Sequence, residues 1–489
     1  MSIATKQEQA IDIIEAIRDK NLFGSYFKSI RTWQSWLVFF KVLSGYKKLG
    51  EKEMELFREC TGLEELPRKP LKEIFICAGR RSGKSTVVSL LSVFYAVWGG
   101  WQRYLSPGEK AHIFIISATK DQCDVIKDYI SAILDLNQSL RRMVKKELAE
   151  SIELKNGVTI TIKPASWRST RGFTTGLLLM EELAYWRFEL ESANRDREVY
   201  TAVKPGMTTI KNSLTLGIST PFARQGLLWE KFNRHFGKPG TVLIWRAPTW
   251  RMNLTTTKEE LEEEFLEALG EAEFGAEYAA KFREDIESYL PVEIYDRAVA
   301  PGVTMRAEQE GVEYFAFCDS SEGLRKGGDS MTFAIAHAED NEDDQRIGIL
   351  DVLLEFRPPF DPGQVIESIA RGCKNYRVDK IVQDRHAVAW IAKDFGEHDI
   401  EVEISEHTKS QIYELFAIEM NKDRVELLDN ERLKAQTLGL QRFLKGGGMV
   451  KIDHYRGGHD DCINSAAGAI MLASKEKPFA VAFWGPDWR

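Results

Sequence analysis

From Ala78 to Ser85 the chain reads Ala-Gly-Arg-Arg-Ser-Gly-Lys-Ser, an order of residue types that suits phosphate chemistry. A glycine-bearing turn that opens a helix points its backbone N–H groups at one spot, and the helix dipole favours an anion there. In that arrangement Lys84 reaches the β- and γ-phosphates of a nucleotide and the Ser85 hydroxyl holds Mg2+, while Arg80, Arg81, Ser82, Gly83 and Thr86 complete the ATP-binding loop. The first glycine usual in such loops is Ala78 here, which is tolerable where its φ is negative. A second set lies at Leu177-Leu-Leu-Met-Glu-Glu182, an apolar run ending in two carboxylates. A buried strand that delivers an acid beside the loop meets the needs of Mg2+ coordination, so Glu181 is expected at the metal and Glu182 as the base that orients the attacking water. Ser219 and Thr220 close a further apolar run, where hydroxyls near the γ-phosphate would sense its loss. The transition state also needs a cation, for which Arg80, Arg81, Arg168 and Arg171 are candidates, acting in cis or from a neighbouring subunit.

A separate acidic set occupies the second half. Asp319 and Asp384 each end an apolar run, and Asp460 and Asp461 open the apolar stretch Cys462-Ile-Asn-Ser-Ala-Ala-Gly-Ala-Ile-Met-Leu-Ala. Taken singly, each is an ordinary cap or turn residue. Converging, they suit two Mg2+ or Mn2+ ions bridging a scissile phosphate, since hard cations take oxygen ligands and no cysteine–histidine cluster competes. Which of Asp460 and Asp461 ligates directly stays open, and Asp329 and His459 are candidates for the rim.

The elements that must carry these residues can be read from periodicity. Residues 6–60 have apolar positions at helical spacing. Strands are expected at 73–79, 112–118, 158–163, 176–182 and 214–220, separated by helical segments, the pattern of a mostly parallel sheet wrapped by helices. A charged helical region spans 257–288. Beyond residue 300, runs at 312–319, 331–337 and 346–356 follow one another with short connections, which implies antiparallel pairing. A helix near 362–375 and a strand at 379–384 come next, and the boundary between domains is expected near 295–311.

The 489 residues are enough for two or three domains, and an apolar content of 43% is ordinary for a globular protein. No run approaches the roughly 18–20 apolar residues of a membrane span, and the N-terminus has no signal-peptide core, so no membrane association is expected. The six cysteines lie far apart without a C-x-x-C pair, which argues against a zinc site or disulfide framework. A net charge of −8 excludes a surface that coats nucleic acid throughout, though not a local basic groove formed by residues such as Arg325, Lys326 or Lys445.

In this order the motifs resemble the large terminase subunit of tailed bacteriophages, over nearly the whole chain. The resemblance implies an α/β chain: an N-terminal P-loop (ASCE-type) ATPase domain with a mostly parallel sheet over 1–300, including the N-terminal helical segment and a helical lid or linker at about 223–295. A C-terminal ribonuclease-H-like nuclease domain is implied over 305–489. It gives Gln34, in Arg31-Thr-Trp-Gln34, the role of adenine contact, and matches Glu181 and Glu182 to the Mg2+ acid and catalytic glutamate. Ser219 and Thr220 match its coupling motif, 274–282 the segment before the nuclease, and Asp319, Asp384 and Gly458-His-Asp-Asp461 the nuclease acids. The departures are Ala78 and Glu181, the latter one methylene longer than the usual aspartate. The implied function is a viral DNA-packaging motor that uses ATP and Mg2+, with Mn2+ able to substitute in the nuclease. Its implied partners are double-stranded DNA, a portal protein on a procapsid and a small terminase subunit. A homo-oligomeric ring when docked, a monomer in solution, and a place in the host cytoplasm but not in the mature virion are the corresponding expectations. An ATP-dependent helicase or repair nuclease unconnected to a capsid would carry the same chemistry.

Overall fold

The computed structural model describes residues 11–136, 138–165, 172–186, 195–321, 323, 328–384, 389–444, 450–454 and 458–475. Arg168, Arg171, Arg325, Lys326 and Lys445 lie outside the described residues. Contacts divide the chain into two compact units, Met1–Ile286 and Glu287–Arg489.

The first unit is built on one eight-stranded sheet. Its strands are β1 (Glu73–Ala78), β2 (Ala111–Ser117), β3 (Val144–Glu147), β4 (Ser151–Leu154), β5 (Val158–Pro164), β6 (Thr175–Glu181), β7 (Leu214–Ser219) and β8 (Val242–Ala247). The order across the sheet is β3-β4-β5-β2-β6-β7-β1-β8. Every pairing from β5 to β8 is parallel, while β3 and β4 add an antiparallel edge. β1, β6 and β7 are buried along their whole length, as apolar runs with helices on both faces must be. One strand, β7, is inserted between the loop-bearing β1 and the acid-bearing β6, the strand order of an ASCE-type P-loop ATPase. Parallel strands point their carboxyl ends the same way, so Ala78, Glu181 and Ser219 finish side by side at one edge of the sheet. Ala78 is the last residue of β1, paired with Ala247, and is not among the residues with positive φ, so no glycine is required there.

Two features of this unit differ from the sequence reading. From residue 11 onward the expected helical span 6–60 holds the short helices Ile13–Arg18, Gln34–Leu43 and Glu51–Thr61, with two 3-10 turns between the first and second, rather than one continuous helical array. The long helix Lys258–Glu277 is interrupted at Gly270, whose φ of 74° no other residue type adopts cheaply.

The second unit has a seven-stranded sheet. Its central strands are β11 (Phe315–Asp319), β12 (Met331–Asp340), β13 (Arg346–Phe356), β14 (Lys380–Gln383) and β15 (Glu401–Ile404), with β9 (Ile286–Ser288) and β10 (Val299–Ala300) preceding them in the chain. They lie in the order β13-β12-β11-β14-β15. β12 is antiparallel to both neighbours, and β11, β14 and β15 run parallel, which is the ribonuclease-H-like arrangement. β16 (Val425–Leu428) and β10 extend the sheet beyond β13, while β17 (Leu440–Leu444), β18 (Val450–His454) and β9 form a separate three-stranded sheet in the order β18-β17-β9. The C-terminal helix Asp461–Ala473 lies on this main sheet and is buried along almost its whole length. Gly468 lets it approach: a Cβ there would run into the Phe317 ring. Residues 289–298 pack with this second core through Tyr289, Leu290, Tyr295 and Ala298.

Candidate active sites at the strand ends

The phosphate-type loop follows β1 and is clamped from outside its own strand–turn–helix. Gly83 has a φ of 93°, and a Cβ there would stand 3.0 Å from the Trp33 ring. Trp36 donates from Nε1 to Ser82 O at 2.7 Å. Asn253 donates to Arg81 O at 3.0 Å, and Thr249 Oγ1 to Arg80 O at 2.8 Å. The Arg80 N–H donates to Glu277 O at 2.5 Å. Gly79 is forced by this seam, since a Cβ would lie 2.6 Å from Tyr278 O. The loop is therefore held in shape by three distant segments.

Helix Lys84–Trp98 starts at the lysine, and Lys84 is almost fully buried. Its Nζ donates to Thr220 Oγ1 at 2.8 Å and, over longer distances, to Gly79 O (3.3 Å) and Ala78 O (3.4 Å). Glu182 Oε1 lies 3.4 Å from the same nitrogen. Ser85 Oγ donates to Glu181 Oε1 at 2.7 Å, and Ser117 Oγ stands 2.9 Å from Oε2. Burial, with the neighbouring Glu182 charge adding to it, pushes the Glu181 carboxyl up to about 7. A buried carboxyl that resists ionisation is one that gains most from a cation beside it. The direct Ser85–Glu181 bond sets the two oxygens that Mg2+ would share within one contact of each other, and the donor set is all oxygen, as that ion requires. The buried Ser82 Oγ has no partner of its own.

Glu182 follows the strand in the left-handed region, at φ 48°, a conformation that costs a non-glycine residue free energy and is retained where the surroundings impose it. Its Oε2 accepts from Ser219 Oγ (3.1 Å) and from the Thr220 N–H (3.3 Å). Ser219 thus touches the glutamate, and Thr220 touches both the glutamate and the lysine. Of the two loop arginines, Arg80 is exposed and lies 3.4 Å from Glu277 Oε2, and Arg81 is exposed with φ 63°. Thr86 is half-buried in the first turn of the helix. Gln34 is exposed at the start of Gln34–Leu43, between the two tryptophans that brace the loop.

In the second unit, Asp319 at the end of β11 and Asp384 just after β14 meet at one amide. Asn464 Nδ2 donates to Asp319 Oδ2 at 2.8 Å and stands 3.4 Å from Asp384 Oδ2. Burial raises the Asp319 carboxyl to about 8, with the charges of Asp461 and Asp460 adding to it and that of Lys409 opposing it. Asp461, in the first turn of the C-terminal helix, accepts the Ser330 N–H at 2.9 Å, and burial lifts it to about 6. Asp329 pairs with His459 at 3.1 Å, and these two with Asp461 offer ligand atoms within 4.8 Å of one another. Asp460 turns elsewhere: Lys409 Nζ donates to its Oδ1 at 2.5 Å and Tyr413 OH to its Oδ2 at 2.9 Å. Although it occupies the N-cap position, Asp460 makes no capping bond, so the cap explanation for its presence fails. The oxygen-rich donor set suits hard divalent cations, and the buried Asn464 Oδ1, which has no partner, leaves one further polar atom beside the acids.

Sequence reasoning missed Lys409, Tyr413, Asn464 and Thr249, and it had Glu277 only as part of the segment 274–282, without its contact to the loop. Asn464 alone had a signal, a buried-type amide one turn past the acid pair in an otherwise apolar helix. All six cysteines are free and buried.

These features define a class: a P-loop ATPase fold followed in the same chain by a ribonuclease-H-like fold with an acidic centre. Residues 65–233 match the family model for the terminase large subunit, ATPase domain, so the resemblance to that subunit is shown over this segment. Among solved structures, the chain is similar to the HK97 bacteriophage large terminase, at 12% identity and a TM-score of 0.42, over 94% of this chain and 99% of that one. It is also similar to the ATPase domain of the Thermus phage P74-26 large terminase, at 21% identity and a TM-score of 0.33, over 50% of this chain and 97% of that one. A third likeness is to the large terminase nuclease of the thermophilic phage G20c with bound magnesium, at 15% identity and a TM-score of 0.31, over 36% of this chain and 94% of that one. None of the curated proteins matches the chain. No helix among the described residues is long and apolar enough to cross a membrane.

Proposed function

We propose that the chain is a viral DNA-packaging motor subunit: ATP hydrolysis in the first unit drives double-stranded DNA into a procapsid, and the second unit cuts concatemeric DNA at initiation and termination. The observation that supports this most is the position of Glu182 and Lys84 within the segment that matches the terminase ATPase family. In the proposed reaction Lys84 leaves Thr220 and Glu182 for the β- and γ-phosphates, and its departure frees Glu182 to take the proton of the attacking water. Mg2+, held by Ser85 and Glu181, would offset the charge that develops on the phosphates. Ser219, bonded to Glu182, and Thr220, bonded to both Lys84 and Glu182, would register the loss of the γ-phosphate as a change in what Lys84 and Glu182 can reach. Gln34 is assigned to the adenine and the loop residues 80–86 to the phosphates. In the second unit Asp319, Asp384 and the Asp460–Asp461 pair would gather Mg2+ or Mn2+ against the scissile phosphate, with Asp329 and His459 at the rim.

The proposed partners are a portal protein on the procapsid, a small terminase subunit that selects DNA, and further copies of the chain arranged as a ring when docked. The proposed place of action is the cytoplasm of an infected host. Packaging with purified empty procapsids, linear DNA and ATP tests the reading. Nuclease-protected DNA is expected with the wild type and none with Lys84→Ala. ATP-driven strand separation on naked duplex, without protection in procapsids, would overturn it.

A further inference from the structure

We infer that Lys409 is a positioning residue of the nuclease centre: with Tyr413 it holds Asp460 out of the metal-ligand set and leaves Asp461 as the member of the pair that binds metal. The inference rests on the nuclease reading above and decides a question which that reading leaves open.

Three observations carry it. First, both oxygens of Asp460 are engaged, Oδ1 by the Lys409 ammonium at 2.5 Å and Oδ2 by the Tyr413 hydroxyl at 2.9 Å. Charge-assisted bonds of this length are the strong ones, and a divalent ion at Asp460 would have to displace a cation already in contact. The same contact bears on the group formed by Asp453, His454 and Asp460, whose ligand atoms also lie within 4.8 Å of one another. His454 Nε2 is 3.9 Å from the Asp460 oxygen that Lys409 holds, so an ion bound there would meet the same ammonium.

Second, Lys409 is the first residue of helix Lys409–Asn421, capped at Thr408. The dipole of a helix disfavours a cation in its first turn. A lysine there gains from a carboxylate opposite it, and Asp460 is that carboxylate.

Third, Lys409 bonds Asp460, the residue next to Asp461, so its positive charge sits close to the acids as well as on one of them. Lys409 therefore offsets the mutual repulsion of the acids while blocking one of them. Asp461 differs from its neighbour in its contacts, since neither Lys409 nor Tyr413 bonds it among the described residues. Its Oδ2 accepts a single backbone N–H, from Ser330, and it lies with Asp329 and His459 in a group of ligand-type atoms.

The test uses the full chain with Mn2+ alone as probe, its affinity read by electron paramagnetic resonance or calorimetry, beside plasmid cleavage. Asp461→Asn and Asp319→Asn are expected to weaken Mn2+ binding at least about tenfold, as loss of a ligand or its support does. Asp460→Asn should change it by less than about twofold. Lys409→Met should tighten Mn2+ several-fold, because a positive charge close to the ion is lost and Asp460 is released, while cleavage falls. Lys409→Arg should keep the wild-type affinity. A lysine with a merely structural role would give no such tightening. Asp460→Asn weakening Mn2+ as much as Asp461→Asn would overturn the inference, and so would a folded Lys409→Met with unchanged or weaker binding. Should Lys409→Met not fold, the comparison of Asp460→Asn with Asp461→Asn decides alone. A wild-type chain that binds no Mn2+ would remove the nuclease reading together with this inference, whereas the other failures remove only the inference.

Discussion

Lys84 and Lys409 each stand among carboxylates, and they are held in opposite ways. Lys84 is almost fully buried, yet only its bond to Thr220 is of ordinary length; its contacts with two loop carbonyls and Glu182 run from 3.3 to 3.4 Å. Lys409 is about a third exposed, yet it makes one short bond, at 2.5 Å, to a carboxylate that a tyrosine holds from the other side. A lysine that transfers to a phosphate during a cycle, as proposed for Lys84, would be served by several long, replaceable contacts. A lysine that must hold one geometry is served by a single tight one. The difference lies in the partners, a set of carbonyls and hydroxyls in the first case and a fully engaged carboxylate in the second.

The comparison is broken most directly by removing Lys84. Lys84→Ala is expected to lower ATP hydrolysis by on the order of a thousandfold or more, as loss of a preorganised transition-state contact does, while Mn2+-dependent plasmid nicking by the same protein persists. The converse variant, Asp319→Ala, should abolish nicking and leave ATP turnover intact. If Asp319→Ala also silenced ATP turnover, the two centres would not be separable engines.

A smaller effect sharpens the nuclease side. Asn464 touches Asp319 and stands near Asp384, so it orients acids rather than reacting. Asn464→Leu is expected to reduce cleavage by roughly 10–100-fold, the usual range for a residue that orients metal ligands, with ATP hydrolysis unchanged. Wild-type cleavage rates in that variant would show that the two aspartates hold their positions unaided.

The smallest effect concerns a third cluster with no chemical duty. Glu73, at the start of β1, is bound by Lys204 (2.6 Å), Lys231 (2.5 Å) and the Tyr200 hydroxyl (2.7 Å). Burial alone would raise its carboxyl, but the hydrogen bonds from Lys204, Lys231 and Tyr200 outweigh it and hold the group at about 2. A depressed carboxylate stabilises the fold fully above its unfolded value near 4.5, and that contribution is lost as pH falls from there towards 2. Glu73→Gln should therefore remove roughly 2–3 kcal/mol of stability at neutral pH and flatten the acid limb of the denaturation midpoint against pH. An acid limb of unchanged slope in Glu73→Gln would show that the cluster contributes no linkage.

How much of this was legible in the sequence follows from contact distance along the chain. β1, β6 and β7 are mostly apolar runs, so local pattern sufficed to find the strands, and the structure places Lys84, Glu181, Glu182, Ser219 and Thr220 close together at or just beyond their carboxyl ends. The same held for β11, β12 and β13, whose short connections imply their antiparallel pairing. β3 escaped because Val144-Lys-Lys-Glu147 is a largely exposed edge strand with no apolar run to mark it. The order in which β7 lies between β1 and β6 is a fact of topology that no local pattern encodes. Lys409 and Asp460 are distant in sequence and share no motif, and Glu277 reaches Arg80 from the far end of the unit. Such partners are chosen by the fold, and they separate two adjacent aspartates that the sequence leaves equivalent.

The seam between Arg80 and Glu277 has a mechanical consequence. A loop that closes on phosphates has to change shape, and here one of its amides is tied to the last turn of Lys258–Glu277, with Tyr278 fastened to Thr249 beside it. The loop is thus tied to the helix as well as to the strands beside it. Any strain put on that helix, interrupted as it is at Gly270, tugs on the phosphate loop, and any movement of the loop loads the helix in return. Stiffness at residues far from the nucleotide would then set the tempo of the hydrolytic cycle.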